Sequence, residues 1–191
     1  MSNSSHSCSG HLATPSVHQT LDELEFGRGI WMSALDGDVG EVEKHLSKGV
    51  SPNVTDNSGY TALHYACRHG KKAVCELLLR HGADANSATK SGRVTPLHRA
   101  AYCGHEGIVS LLLSKGADSL IQDVDGKTAL HKAVEERHTD VMKLIVTHCP
   151  SCTTVLDSKG KKPADYLSSD QQDSLTFLNQ AENQRERTLQ N

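Results

Sequence analysis

The sequence predicts an all-α fold, a solenoid of stacked helix-turn-helix units joined by hairpin loops. Three observations predict it: one phrase recurs at a fixed step, apolar residues inside each copy fall at helical spacing, and glycines follow the helices. The phrase reads Gly59-Tyr-Thr-Ala-Leu-His-Tyr-Ala-Cys, then Thr95-Pro-Leu-His-Arg-Ala-Ala, then Gly126-Lys-Thr-Ala-Leu-His-Lys-Ala-Val. Its threonines, Thr61, Thr95 and Thr128, lie 34 and 33 residues apart. A second phrase, Leu77-Leu-Leu-Arg-His-Gly-Ala-Asp, returns at Leu111-Leu-Leu-Ser-Lys-Gly-Ala-Asp.

Each letter of the unit has a physical reading. A threonine can cap a helix by accepting a backbone N–H, and Pro96 stands at the first helical position, where its missing N–H costs nothing. Leu63, Ala66 and Cys67 then fall on one face, matched by Leu97, Ala100 and Ala101. Gly70 and Gly104 are placed to end the first helix in a left-handed cap. A second helix carries Val74, Leu77 and Leu78, or Val109, Leu111 and Leu112, and ends at Gly82 or Gly116. Polar stretches such as Asp56 to Gly59 and Asp123 to Gly126 suit hairpin tips. The extra residue of the longer step falls within Gly92-Arg93-Val94, in a turn that tolerates it. One helix pair cannot bury its own apolar side, so the units must stack.

In chain order this gives a tail over 1–19, a divergent N-terminal capping repeat over 20–57, three full repeats over 58–91, 92–125 and 126–158, a closing half-repeat over 159–179, and a tail over 180–191. Both tails are expected to be disordered. The leading repeat starts at a capping-box pattern, Thr20 to Glu23, and Leu21, Leu24 and Phe26 are expected to cover the open end. In it Arg28-Gly-Ile-Trp31 stands for Thr-Ala-Leu-His, and in the closing half-repeat Asp165 replaces the histidine.

These phrases resemble the ankyrin repeat, a hairpin plus two antiparallel helices with a Thr-Pro-Leu-His signature. The resemblance implies structural imidazoles at His64, His98 and His131, bridging backbone groups across the turn. It also implies a partner bound in a concave groove, against tips and inner helices. Asparagines at the positions of Asn53 and Asn86 can be hydroxylated in such proteins, so the chain is alternatively a hydroxylation substrate.

Composition narrows the function. A net charge of −3 lacks the basic excess of duplex binders, so no nucleic acid is expected. No apolar run approaches the roughly 20 residues that cross a bilayer, so no membrane is expected. Met1 to Gln19 lacks the pattern of a secretory signal. A cytoplasmic or nuclear monomer follows as the expectation, with its six cysteines as free thiols. There is no Gly-rich phosphate loop, no nucleophile elbow and no His-Glu-x-x-His, so neither catalysis nor a cofactor is expected. Glu135 and Glu136 read as a solvated helix end. Cys149 and Cys152 have C-x-x-C spacing but no second pair, so no metal site is assigned. Cys67 is expected in the core, whereas Cys103, beside Gly104, is expected to be more accessible and is the thiol to test for reactivity.

The informative positions are those the repeat does not dictate. Met32, Tyr65, Arg99 and Lys132 share one register and form one predicted stripe. Arg68 and His69, Tyr102 and Cys103, and Glu135 form a second, and Tyr60 and Arg93 stand at hairpin tips. Tyrosine and arginine are favoured interface anchors. The expected function is a non-catalytic adaptor or scaffold binding a protein partner whose identity the sequence does not give; the alternative is a regulatory subunit or inhibitor of an enzyme complex.

Overall fold

The computed structural model describes residues 29–167, 173, 174 and 176–181. The α-helices run in pairs: α1 (Ile30–Asp36) with α2 (Val39–Ser47), α3 (Ala62–Arg68) with α4 (Lys72–Arg80), α5 (Pro96–Tyr102) with α6 (Glu106–Ser114), and α7 (Ala129–Glu135) with α8 (Thr139–His148). Short 3-10 helices at Pro150–Thr154 and Pro163–Tyr166 follow, and residues 173, 174 and 176–181 are helical. The tail over 1–19, the capping box at Thr20, the covering residues Leu21, Leu24 and Phe26, and residues 182–191 lie outside the described residues. Gln180 and Ala181, expected in the disordered tail, are helical, and Ala181 packs on the core beside buried Leu178.

Helices of seven to ten residues are too short to persist alone in water. Packing supplies what length does not. The first helix of each pair lies on the first helix of the next (α1 on α3, α3 on α5, α5 on α7), and the second helices stack likewise. Leu63, Leu97 and Leu130 are buried at the matching position of successive first helices, with Ala66, Ala100 and Ala133 as small residues in the same layers. The second helices bury Val74, Leu77, Leu78, Val109 and Leu112 as expected, and also Cys75 and Ile108. Leu111, expected in the core, is only half-buried, and Leu113 takes that role on α6.

Gly70, Gly104, Gly82 and Gly116 adopt φ of 70°, 73°, 86° and 82°, the left-handed caps their spacing predicts. Two arginines share this conformation. Arg137 (φ 62°) stands where the other first helices have glycine, and Arg93 (φ 50°) stands where the other hairpins have Gly59, Gly126 and Gly160. The extra residue of that hairpin is Ser91, one position before the expected Gly92-Arg93-Val94: Lys90 donates its N–H as Val124 and Ser158 do, and Gly92 offers its carbonyl as Ser58 and Asp125 do. Cys149, at the position of a terminal glycine, has φ −138°, and the chain passes directly into the 3-10 turn at Pro150.

Candidate protein-interaction face

Two rows of side-chain bridges join successive units behind the face. His64, His98 and His131 hold the first row. Each Nδ1 accepts the backbone N–H of the threonine three residues earlier, at 3.2, 3.3 and 3.1 Å. The threonine hydroxyl lies 2.9, 2.8 and 3.0 Å from the same nitrogen. Since Nδ1 accepts, the ring proton sits on Nε2, which donates to the carbonyls of Val94, Lys127 and Lys161 at 2.9, 2.9 and 3.3 Å. These carbonyls belong to the next unit, so the imidazoles join neighbouring repeats and do not merely close a turn. Burial keeps the rings neutral: it lowers the pKa of His64 to about 4 and lowers those of His98 and His131. In the leading repeat Trp31 stands at the signature position, and its indole N–H reaches forward to the Val54 carbonyl at 3.2 Å.

The second row has no counterpart in the sequence reading. His105 and His138, one step apart, donate from Nε2 back to the carbonyls of Arg68 and Tyr102 at 3.1 and 3.0 Å. The imidazole of His138 presses on Gly104 so closely that a Cβ there would lie 2.5 Å from the ring. Asn53 and Asn86 add amide latches. Each donates to a helix-ending carbonyl of the next unit (Gly82, Gly116) and accepts the N–H of Asp84 or Asp118. Ser119 stands next in that register, and its Oγ is buried without a partner.

Four hairpins feed the inner face. Asp56, Asp123 and Asp157 open three of them, each taking two backbone N–H groups on Oδ1. The second carboxylate oxygen crosses to the first helix that follows. Asp56 Oδ2 accepts the Tyr65 hydroxyl at 2.7 Å, Asp123 Oδ2 pairs with the Lys132 ammonium at 2.8 Å, and Asp157 Oδ2 accepts the Tyr166 hydroxyl. Burial raises the carboxyl pKa of Asp123, but Lys132 and the Lys127 N–H outweigh that and hold it below its ordinary value. Adjacent tips are stitched by the N–H groups of Lys90, Val124 and Ser158 to the carbonyls of Ser58, Gly92 and Asp125. A Cβ at Gly126 would lie 2.6 Å from the Ser158 nitrogen, so glycine there serves the stacking as well as the turn.

The residues of the two predicted stripes and the hairpin tips thus divide into engaged and available ones. Tyr65, Lys132 and Glu135 are engaged within the chain, the last by an ion pair with Lys127. Arg99 differs: its guanidinium lies 5.1 Å from the Tyr60 ring, Nη2 donates to the Tyr60 hydroxyl, and Nε is buried with no acceptor. Tyr60 also packs edge-on to His64 at 5.5 Å and against Tyr65 at 5.7 Å. Arg68, His69 and Arg93 are exposed, Tyr102 is 48% exposed, and Met32 is 36% exposed. Cys103 is half-buried, and burial pushes its thiol up, against the opposing fields of Arg68 and Arg99. It is therefore not an activated thiolate.

The ankyrin-repeat family model matches residues 30–123 as three copies and residues 125–157 as a further one. The chain belongs to the ankyrin-repeat family. It is 49% identical over 82 residues to Ankyrin repeat domain-containing protein 39 of Homo sapiens, covering 43% of this chain and 45% of that protein. The Bos taurus protein of that name is 54% identical over 66 residues, covering 35% and 36%. SMC5-SMC6 complex localization factor protein 1 of Bos taurus is 37% identical over 124 residues, which is 64% of this chain but 9% of that protein. The matched stretches span less than half the length of each of these relatives. Ankyrin repeats in general mediate protein–protein interaction without catalysis.

The other cysteines among the described residues follow the packing of an ankyrin stack. Cys67 and Cys75 are fully buried with sulfurs 3.7 Å apart. Cys152 is fully buried and its thiol is pushed up by burial, while Cys149 contacts the Ser151 hydroxyl at 3.2 Å. Among the described residues, no three His, Cys, Asp or Glu side chains converge on a point where a metal could sit. No described helix is long and apolar enough to cross a membrane.

Proposed function

We propose that this ankyrin chain is a monomeric, non-catalytic adaptor or scaffold that takes one protein partner on the inner face formed by α3, α5, α7 and the hairpin tips. It acts in the cytoplasm, the nucleus or both. The observation that carries this reading is the concentration of aromatic and arginine anchors on two successive units: Arg99, its Nε without an acceptor, on Tyr60 at the centre, with Arg68, Arg93 and Tyr102 exposed around them. Aromatic and arginine side chains dominate interface energetics, and a stack bridged at every junction presents them without a large ordering cost.

Proximity labelling in cells, comparing the wild type with an Arg93→Glu, Arg99→Glu chain, tests it. The reversal is expected to lose specific neighbours while the chain stays folded; an unchanged neighbour set refutes the face. The likeness to a protein named for localising the SMC5-SMC6 complex favours a second reading, in which the bound partner is delivered to a larger assembly as a regulatory subunit would do. Hydroxylation of Asn53 or Asn86 fits the geometry less well, because both amides are engaged as latches.

A further inference from the structure

We infer that the inner face around Arg99 binds an acidic segment of the partner protein, whose Asp or Glu side chain takes the place of a carboxylate that one hairpin lacks. This rests on the adaptor reading above and narrows its partner. Three hairpins open with Asp56, Asp123 and Asp157, and each turns its Oδ2 onto the residue that follows the signature position of the next first helix: Tyr65, Lys132 or Tyr166. The hairpin before Arg99 opens with Thr89. Its Oγ1 accepts the Val94 N–H at 3.0 Å, as the carboxylates' Oδ1 atoms do for their own turns, but it has no second oxygen to offer. The groove cation therefore stands where the chain has dropped its counter-ion.

The local chemistry leaves that charge uncompensated. Nη2 donates to a neutral hydroxyl, the Tyr60 ring lies under the guanidinium, and Nε–H is buried without an acceptor. Among the described residues Arg99 forms no ion pair with a carboxylate. The nearby acids are occupied: Asp56 by the N–H groups of Ser58 and Tyr60 and by the Tyr65 hydroxyl, and Asp123 by Lys132. Arg68, Lys90 and Arg93, all exposed on the same two units, reinforce the positive sign. A half-desolvated cation without a counter-ion has already lost part of its hydration, so an arriving carboxylate meets less opposing desolvation. Charge-assisted hydrogen bonds to a held guanidinium are among the stronger polar contacts.

The test pans a displayed library of short random peptides against the full chain. Affinities of the selected peptide and of its Asn/Gln counterpart are then measured on the wild type, Arg99→Gln and Thr89→Asp. Thr89→Asp restores the missing carboxylate in cis, so it is expected to fold at least as stably as the wild type, which a thermal melt checks, and yet to bind less. Selected peptides are expected to be rich in Asp and Glu, and to lose affinity about tenfold when neutralised, with a similar loss on either variant. Neutralising the peptide is expected to cost nothing further on Arg99→Gln. A library that yields no binder, binders that are basic or uncharged, or a Thr89→Asp chain that binds like the wild type overturns the inference. Chemical-shift mapping separates the two readings. Uncharged peptides seated on α3, α5 and α7 leave the adaptor reading standing and remove the acidic one. Peptides seated on the outer helices remove both.

Discussion

Lowering the pH from about 7 to about 5 should destabilise the stack through the imidazoles that join its units. His64 is the case with a magnitude. Its folded pKa is about 4 against an ordinary 6.5, because burial penalises the imidazolium and Nδ1 is committed to accepting from Thr61. The unfolded chain therefore takes up the proton first as pH falls. Stability is fully present above about 6.5, declines between 6.5 and 4, and levels off below. Full protonation corresponds to about 3 kcal/mol for this residue, and the drop to pH 5 to about 2 kcal/mol. His69, His98 and His131 are shifted in the same direction, so their contributions share the sign. The lowered carboxylates Asp123 and Asp157 titrate below this window and do not obscure it. Urea unfolding followed by far-UV circular dichroism at several pH values measures the decline. A His64→Gln chain should be less stable at neutral pH but lose less on acidification. Equal stability at pH 7 and 5, or an undiminished pH slope in His64→Gln, refutes the argument.

Two further perturbations test the packing and the backbone. Leu97→Ala empties a fully buried site between α3 and α7 and should cost about 2–5 kcal/mol in urea unfolding, with binding lost only through unfolding. Arg137→Gly places glycine at φ 62°, where the other first helices already have it, and should raise stability by about 0.5–1 kcal/mol; a lowered midpoint would show that the arginine side chain outweighs its backbone cost.

The repeat was legible because its determinants are local. A threonine, a histidine three residues on, and a glycine after each helix report their roles through short spacing, and the left-handed φ at Gly70, Gly82, Gly104 and Gly116 follows that reading. The bridges were legible only in part. His105 and His138 lie one period apart, and that step could have marked them as a second row of bridges, but their acceptors belong to the preceding unit. Asn53 and Asn86 read as modification sites, although their spacing is equally that of a repeated latch.

The inner face was harder for a physical reason. Whether a groove residue is available to a partner depends on what its own hairpin turns toward it. Tyr65 and Lys132 look as free in sequence as Arg99 does, yet a carboxylate nine residues earlier folds back onto each of the first two. Reading the hairpin and the helix as one unit reverses the inference. The deciding letter is then Thr89, which is unremarkable alone and becomes informative once three other hairpins show aspartate at its place. Such a substitution removes a stabilising charge from the fold while keeping the turn, which the Thr89 hydroxyl still closes through Val94. A chain selected for stability alone has no reason to leave a half-buried guanidinium in that position. A chain that uses the cation to hold a partner does, because a carboxylate supplied in cis would compete with the one supplied in trans.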